Sequence, residues 1–179
     1  MDKCSLNNII ELSLRPIERN DIPNLYRWNN QIFYGDWQKF EFQSERRFEK
    51  RFEEDGFNTA TFKMLILEDA SGTTVCVTIC EFTQSWLAEI GLTMLPEFRN
   101  MGLGKSALHL LIKHLFDNYP IIKISADTDI KNLAARKLFQ NVGFQHEGTL
   151  RKFRFHHGKY HDSMVFGLLR EEYDANSIC

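Results

Sequence analysis

The stretch Arg99-Asn100-Met101-Gly102-Leu103-Gly104-Lys105 joins a predicted strand, Ala88–Leu95, to a predicted helix, Gly104–Phe116. A polar loop that opens a helix aims several backbone N–H groups at one point, where the helix dipole is positive. Such loops bind anions, most often a phosphate or pyrophosphate. The glycines matter because a Cβ atom there would hold the ligand away from the backbone. The sequence therefore predicts a phosphate-bearing ligand at residues 99–105.

Two other phosphate-binding loops fit this stretch less well. Gly104-Lys105-Ser106 is like the end of a Walker A loop, but that motif needs a glycine where Arg99 stands. Residues 102–107 fit the dinucleotide fingerprint G-x-G-x-x-G/A, and Asp127 follows at about the distance of a ribose partner, about 20 residues. A dinucleotide domain needs more strand–helix units than the remaining chain supplies. An NAD(P)-binding oxidoreductase is therefore the less favoured alternative.

The pattern Arg-x-x-Gly-x-Gly at Arg99, Gly102 and Gly104 resembles the pyrophosphate loop of the GCN5-related N-acetyltransferases, which bind acetyl-coenzyme A. A second stretch, Asn132 to Phe144, is similar to that family's other cofactor segment, Asn-x-x-Ala-x-x-Leu-Tyr-x-x-x-Gly-Phe. Two separated motifs in the family's order are more specific than either alone. The approach Pro96-Glu97-Phe98-Arg99 and the tail from Gly148 to Leu169 resemble the branch that acetylates ribosomal proteins and polyamines.

The resemblance implies an N-acetyltransferase that moves an acetyl group from acetyl-CoA, its cosubstrate, to a primary amine. The acceptor would be a small molecule (a polyamine, amino sugar or aminoglycoside) or a protein N-terminus. Pantetheine would pair, as an added strand does, with the backbone of Thr93, Met94 and Leu95. The expected cofactor-binding residues are Thr93, Met94, Leu95, Arg99, Asn100, Met101, Gly102, Leu103, Gly104, Lys105, Asn132 and Phe139.

Glu89 is the predicted catalytic base. The tripeptide Ala88-Glu89-Ile90 resembles the Ala-Glu-Ile that supplies a glutamate base in histone-acetylating relatives. Strand alternation places Glu89 on one face with Gly91 and Thr93. An amine with a pKa near 10 must lose a proton before it attacks a thioester, so a base or a proton wire is needed. The alternative interpretation is an edge carboxylate in a salt bridge.

The general acid is not evident from the sequence. The family's usual tyrosine falls on Phe139, and the serine of some relatives falls on Ala135, so neither residue has a proton to give. Tyr160 and Tyr34 are candidates without a predicted position. A thiol with a pKa of about 8.5 can also leave unassisted. The missing acid keeps a second hypothesis open, a non-catalytic coenzyme A-binding or regulatory module.

Two further groups of residues are candidates for a functional site: an aromatic region after the first helix and three histidines near a predicted hairpin. In the family, the region after the first helix covers the acceptor site, and here it holds Trp28, Asn29, Asn30, Phe33, Tyr34 and Trp37. Aromatic side chains around a binding site favour a cationic amine. Three carboxylates nearby would attract a cation: Asp36, Glu41 and Glu54. Three histidines near a predicted hairpin tip lack a ligand partner at a known spacing, so we expect a solvated turn and no metal site at His156, His157 and His161.

Bulk properties limit the fold and the partners. The 179 residues predict a single domain, 1–179, with a core of about 10–172. The element order β-α-α-β-β-β-α-β-α-β-β predicts an α/β layer, and the resemblance implies a single mixed, mostly antiparallel sheet flanked by helices. A formal net charge of −2 predicts no nucleic-acid partner, and no apolar run suits a membrane helix. Free thiols at the four cysteines suit the cytoplasm. A homodimer is left open.

Overall fold

The computed structural model describes residues 10–31, 37 and 41–173. Within these residues the strands and helices follow in the predicted order. The strands are β1 (Leu12–Pro16), β2 (Phe62–Asp69), β3 (Thr74–Gln84), β4 (Leu87–Met94), β5 (Lys123–Asp129), β6 (Gln145–His156) and β7 (Lys159–Leu169). The helices are α1 (Ile22–Asn30), α2 (Glu45–Asp55), α3 (Leu103–Asn118) and α4 (Leu133–Val142).

Local sequence sets where α4 begins and ends. Asn132 is its N-cap, and the side-chain Oδ1 accepts a hydrogen bond from the backbone N–H of Ala135 at 3.2 Å, which satisfies a donor that the first turn leaves unpaired. Gly143 ends the helix at a φ of 104°, a conformation that a Cβ atom disfavours. Leu133, the first residue of α4, is 59% exposed. It lies two residues from the inward-facing Ala135, and two residues turn a helix by more than half a revolution.

The seven strands form one sheet in the order β1-β2-β3-β4-β5-β7-β6. Every neighbouring pair is antiparallel except β4 and β5, which run parallel. That parallel ladder joins only residues 87–89 to residues 123–125. The predicted class is confirmed: one mixed, mostly antiparallel sheet flanked by helices.

Helices cover both faces of this sheet. On one side, called the α3–α4 face, the core includes Ala88, Leu108, Leu111, Ile124, Phe139 and Phe166. On the other side, called the α1–α2 face, the core includes Ile22, Leu25, Phe48, Phe57, Ile66 and Val77. Consecutive strand residues point to opposite faces, so each central strand contributes side chains to both cores.

Cys76 and Cys80 are buried free thiols, as the sequence predicts. Burial raises the pKa of each thiol to about 12, so both stay protonated and unreactive at neutral pH. The other two cysteines, Cys4 and Cys179, lie outside the described residues. In the described part of the chain, no helix is both long and apolar enough to cross a membrane.

Arg170, just after β7, closes the C-terminal end of α3. Its guanidinium donates hydrogen bonds to the carbonyl oxygens of Phe116 at 2.6 Å, Tyr119 at 2.6 Å and Ile121 at 2.8 Å. The last carbonyls of a helix have no partner within the helix, and the dipole there favours a cation. One side chain therefore ties the end of β7 to the end of α3.

We expect Arg170→Met to lower the free energy of unfolding by about 1–2 kcal/mol, because hydrogen bonds from a charged donor to three carbonyls are lost. Urea denaturation followed by circular dichroism measures the difference. The matched control is Arg19→Met, since Arg19 is exposed and lies 3.7 Å from Glu53, and such surface pairs contribute less than about 1 kcal/mol. Equal losses in both variants would contradict the role given to Arg170.

Candidate functional site

A cleft opens where β4 and β5 separate. The ladder between them ends at Glu89 and Ser125, while β4 continues to Met94 and β5 to Asp129. The cavity has a volume of about 820 Å³. Besides the two strands, its walls come from the loop before α3, the first turn of α3, α4, β6 and Trp37. This is a size that holds a small-molecule ligand.

The cleft passes through the sheet from one face to the other. Along β4 it is lined by Glu89, Gly91 and Thr93, which point to the α1–α2 face, and also by Leu92 and Met94, which point to the α3–α4 face. Alternation along a strand allows both sets to line one opening only if that opening lies between strands. Two ligands can therefore enter from opposite faces and meet between β4 and β5.

The edge of β4 that faces the cleft carries backbone groups without a strand partner. Leu95 donates its N–H to the carbonyl of Val75 on β3, and partners along an antiparallel ladder alternate, so the polar groups of Thr93 also point to β3. Those of Leu92 and Met94 point the other way, toward the cleft. Of the three expected pantetheine partners, Met94 has backbone groups that face the cleft. The backbone groups of Thr93 and Leu95 point to β3 instead, and Leu95 is buried. Leu92, which the sequence analysis did not name, also has backbone groups that face the cleft.

The loop that precedes α3 has the geometry of an anion-binding turn. Asn100 has a φ of 61° and Gly102 a φ of 80°, and the N-cap of α3 is Gly102, which has no side chain to cap the first amides of the helix. A Cβ atom at Gly102 would meet nothing within 4 Å, so the space beside this backbone is open. Arg99 donates from Nε to the Met94 carbonyl at 3.1 Å, which places its guanidinium at the end of β4.

Two of the expected loop residues lie outside the lining of the cleft, and a third lies within it. Met101 is 55% exposed and Lys105 is also exposed, and neither lines the cleft. Gly104 lines it, but a Cβ atom there would face Leu138 of α4 at 3.4 Å. That is an ordinary van der Waals contact, so packing alone does not require glycine at 104, whereas the positive φ of Gly102 favours glycine there.

The start and inner side of α4 form the wall on the α3–α4 face. Asn132 and Phe139, two of the expected cofactor-binding residues, line the cleft, and so does Ala135. Phe139 is only 8% exposed, with its ring centroid 5.4 Å from Phe144 and 5.3 Å from Phe166. It packs in the core and offers no proton. Tyr160, a candidate acid, is 65% exposed and does not line the cleft, and Tyr34 lies outside the described residues.

Two carboxylates face each other on the α1–α2 side of the cleft. Glu89 of β4 stands directly opposite Glu81 of β3, and both line the cavity and are exposed. Like charges placed directly across a ladder repel each other, so a cation between them is favoured. The sequence singled out Glu89 alone, because the register that brings Glu81 beside it depends on the pairing of β3 with β4.

An ion pair that was not predicted from the sequence lies on the same α1–α2 side of the cleft. Arg154 of β6 donates to the Asp127 carboxylate, with Nη2 at 2.7 Å and Nε at 3.1 Å from Oδ2, and Ser163 donates to the same oxygen at 2.5 Å. Arg154 also reaches the Trp37 carbonyl at 3.4 Å. A bulge in β6 between Leu150 and Arg154 turns this side chain toward the cleft. Asp127 is thus occupied and is not a ribose ligand.

His156 and His161 are not part of a solvated turn, contrary to the sequence-based prediction. His156 is 6% exposed and its Nε2 lies 2.8 Å from Oδ2 of the buried Asp129. The two rings stack with centroids 3.9 Å apart and planes 7° from parallel. Nδ1 of His161 lies 3.8 Å from the same carboxylate oxygen, so both rings are close to Asp129. The cluster therefore holds the β6–β7 hairpin to β5.

The rest of the predicted acceptor region is only partly described. Trp37 lines the cleft. Asn29 and Asn30 instead donate to the carbonyls of Glu41 and Gln43, where they hold the chain before α2. Glu54 pairs with Lys50 on the surface of α2. Phe33, Tyr34 and Asp36 lie outside the described residues.

Comparison with known proteins identifies what this arrangement is similar to. A family model described as an acetyltransferase (GNAT) domain matches residues 11–145. An SPbeta prophage-derived N-acetyltransferase of Bacillus subtilis is 29% identical over 85 residues, 48% of each chain. The chain spans about half the length of this relative and of three other curated relatives that it matches.

Two longer matches cover most of the chain. The spermidine N(1)-acetyltransferase of Vibrio cholerae is 24% identical over 168 residues, 91% of this chain and 95% of that protein. The crystal structure of a Vibrio cholerae spermidine N-acetyltransferase with CoA and spermine superposes with a TM-score of 0.83 and 22% identity, over 90% of this chain and 97% of that one. At this identity the structural likeness shows the fold alone.

The buried Asp129 makes a contribution to the stability of the native state that depends on pH. Burial raises its pKa, but hydrogen bonds from the Lys131 N–H and from His156 outweigh that and hold the pKa below its usual value. A lowered carboxyl pKa stabilises the native state above the unfolded pKa of about 4, and this stability is lost as pH falls through the native pKa.

We expect Asp129→Asn to lower the free energy of unfolding at pH 7 by about 1–3 kcal/mol. The difference from wild type should shrink as the pH falls below about 4, because the wild-type carboxyl then becomes neutral as well. Urea titrations at pH 7, 5 and 3 measure it. The control Asp117→Asn, at an exposed helix pair with Lys113, should change stability by less than about 1 kcal/mol at every pH. A pH-independent loss at Asp129 would refute this assignment.

Proposed function

Since the chain belongs to the GNAT acetyltransferase family, we propose that it transfers an acetyl group from acetyl-CoA to a primary amine. The observation that carries this proposal is the cleft between β4 and β5, which opens on both faces of the sheet. One face presents an anion-binding turn and the other presents a pair of carboxylates. A phosphate-bearing acyl donor and a cationic acceptor fit these two mouths.

The α3–α4 face suits the acyl donor. The uncapped amides of α3 and the turn at Asn100 and Gly102 would hold the pyrophosphate, and the guanidinium of Arg99 would add a charged contact. The open backbone edge of Leu92 and Met94 would pair with the pantetheine amides as an added strand does. An N–H on the same edge would stabilise negative charge on the acetyl oxygen. Acetyl-CoA supplies the activated acyl group.

The α1–α2 face suits an amine. Glu81 and Glu89 attract an ammonium group, and Trp37 adds an aromatic wall. Arg154, whose guanidinium lines the cleft on this side, is neutralised by Asp127. The Vibrio cholerae relative is named for spermidine, and a polyamine is the acceptor that we favour here. Amino sugars, aminoglycosides and protein N-termini remain acceptors to be compared.

Glu89 is proposed as the general base. Its side chain points from β4 into the cleft on the acceptor side, next to the unpaired backbone edge where the thioester would lie. It would take a proton from the amine, directly or through one water molecule, before or during attack. The opposite carboxylate, Glu81, would hold the acceptor rather than its reacting nitrogen.

Two alternative functions can be distinguished from acetyl transfer by measurement. A non-catalytic coenzyme A-binding module would bind acetyl-CoA without turnover on any amine. An NAD(P)-dependent oxidoreductase would need a doubly wound parallel sheet, whereas this sheet has one parallel pair.

The remaining proposals concern compartment and partners. We infer a cytoplasmic protein with no nucleic-acid or membrane partner, supported by a formal net charge of −2 and by the free thiols of Cys76 and Cys80. For a homodimer, the supporting feature is the exposed aromatic surface of the outer hairpin at Phe155 and Tyr160.

We expect acetyl-CoA, but not NADH or ATP, to raise the thermal unfolding midpoint. A ligand at a hundredfold excess over its Kd stabilises the folded state by about 2.7 kcal/mol. Differential scanning fluorimetry with each ligand measures the shift. Protection by NADH without protection by acetyl-CoA would reject the donor assignment.

A matched pair of variants locates the pyrophosphate. Asn and Asp both tolerate the positive φ of Gly102, and a Cβ atom there meets open space. Gly102→Asp should abolish protection by acetyl-CoA through charge repulsion, whereas Gly102→Asn should keep part of it. Equal protection of both variants would place the phosphate elsewhere.

We expect Glu89→Gln to lower turnover by about a hundredfold or more, the usual contribution of a general base. The Kd for acetyl-CoA should hardly change, and the loss should shrink at high pH, where more of the amine is neutral. Thiol release with a panel of polyamines and aminoglycosides from pH 7 to 9 measures both effects.

The control for that prediction is Glu81→Gln. It removes the facing carboxylate, so it should raise KM for a cationic acceptor and leave kcat close to wild type. Near-normal turnover of Glu89→Gln across this pH range would make Glu89 a structural residue. Binding of acetyl-CoA by the wild type with no turnover on any amine would favour the non-catalytic module.

A further inference from the structure

One hydroxyl on the donor side of the cleft has no role in the mechanism above. We propose that the hydroxyl of Thr128 donates a hydrogen bond to the departing sulfur atom of the thioester, and that Asn132 positions this hydroxyl. The inference rests on the proposed function. It supplies a donor where Ala135 and Phe139 offer none.

Thr128 lies on the correct strand and the correct face. It belongs to the part of β5 that runs beyond the last pair with β4, and it lines the cleft. Alternation groups it with Ile124 and Ala126, which pack into the core on the α3–α4 face. This is the face of the glycine turn. The residue is only 5% exposed, so its hydroxyl lies away from bulk water.

The hydrogen bonds around Thr128 direct its proton. The N–H of Ala135 donates to Oδ1 of Asn132 at 3.2 Å, which leaves Nδ2 to donate to Oγ1 of Thr128 at 3.1 Å. The threonine oxygen is therefore the acceptor in that contact, and its own proton points elsewhere. Within residues 10–31, 37 and 41–173, no group accepts that proton. The proton is free to meet a ligand in the cleft.

Other hydroxyls in the lining are excluded by their positions. Ser125 donates to the Phe166 carbonyl at 3.4 Å and, by alternation, faces the acceptor side. Thr93 also points to the α1–α2 face. The first turn of α4 follows Thr128 closely in the chain, and the positive end of that helix dipole supports a thiolate beside it.

The chemistry needs only a hydrogen bond. The amine nitrogen forms a bond to the acetyl carbon, the C–S bond breaks, and its electron pair stays on sulfur. The amine proton passes to Glu89, directly or through water. Thr128 keeps its proton, because a hydroxyl is a much weaker acid than a thiol. A hydrogen bond donated to the charged form of a group favours that form, so it lowers the pKa of the bound thiol and improves the leaving group.

The test measures the thiol pKa of coenzyme A bound to the protein, from the ultraviolet absorbance of the thiolate across a pH titration. Thr128→Val removes the hydroxyl and keeps the shape, and Thr128→Ser keeps the hydroxyl. We expect Thr128→Val to raise the pKa of the bound thiol by about 1 and to lower kcat about tenfold or more. Thr128→Ser should stay near wild type in both. Calorimetric Kd values for coenzyme A should agree within about threefold, because one hydrogen bond among many is lost.

Asn132→Ser tests the positioning role. Serine still caps a helix, but it lacks the amide that donates to Thr128, so the thiol pKa should rise while α4 stays folded. If Thr128→Val does not fold, Thr128→Ala replaces it with the same expected change.

An unchanged thiol pKa and kcat in a folded variant that binds coenzyme A would overturn this inference and leave the proposed function intact. Failure of the wild-type protein to bind coenzyme A would overturn the proposed function first.

Discussion

The early end of the β4–β5 ladder is the constraint on which the rest of the site depends. Three residue pairs hold the two strands together, and beyond them the sheet divides into two separately paired halves. One half is held by β3 and β4, the other by β5 and β7, each through a long antiparallel ladder. Backbone groups on the divided edges need partners from outside the sheet. The cleft is therefore bordered by backbone N–H and C=O groups that a ligand can pair with.

The half built on β5 is held by hydrogen bonds to its carboxylates as well as by apolar contacts. Asp127 and Asp129 point to the α1–α2 face, where Arg154 and His156 of β6 reach them across β7. Hydrogen bonds to a charged group stabilise a fold more than hydrogen bonds between neutral groups do. These contacts stabilise one register of the β6–β7 hairpin. That register determines which side chains of β6 line the cleft on the α1–α2 face.

Backbone parity determines which of the expected strand residues have backbone groups that face the cleft. The sequence locates the strand before the glycine turn, but it does not say which of its N–H groups bond to the strand on the other side. One observed bond, from Leu95 to Val75, sets the parity of the whole strand. It assigns Leu92 and Met94 to the cleft and Thr93 and Leu95 to the sheet. A shift of one residue would exchange these roles.

By itself the sequence determined the order of the elements, the turn before α3, the cap at Asn132 and the face of Glu89. Each of these follows from local chemistry: a positive φ, an unpaired amide, or the two-residue period of a strand. Only the tertiary structure decided that Glu81 stands opposite Glu89, that Arg154 and His156 reach β5, and that Thr128 faces the glycine turn. Those relations join residues far apart in the chain. They depend on strand order, register and a bulge, which packing of the whole sheet selects.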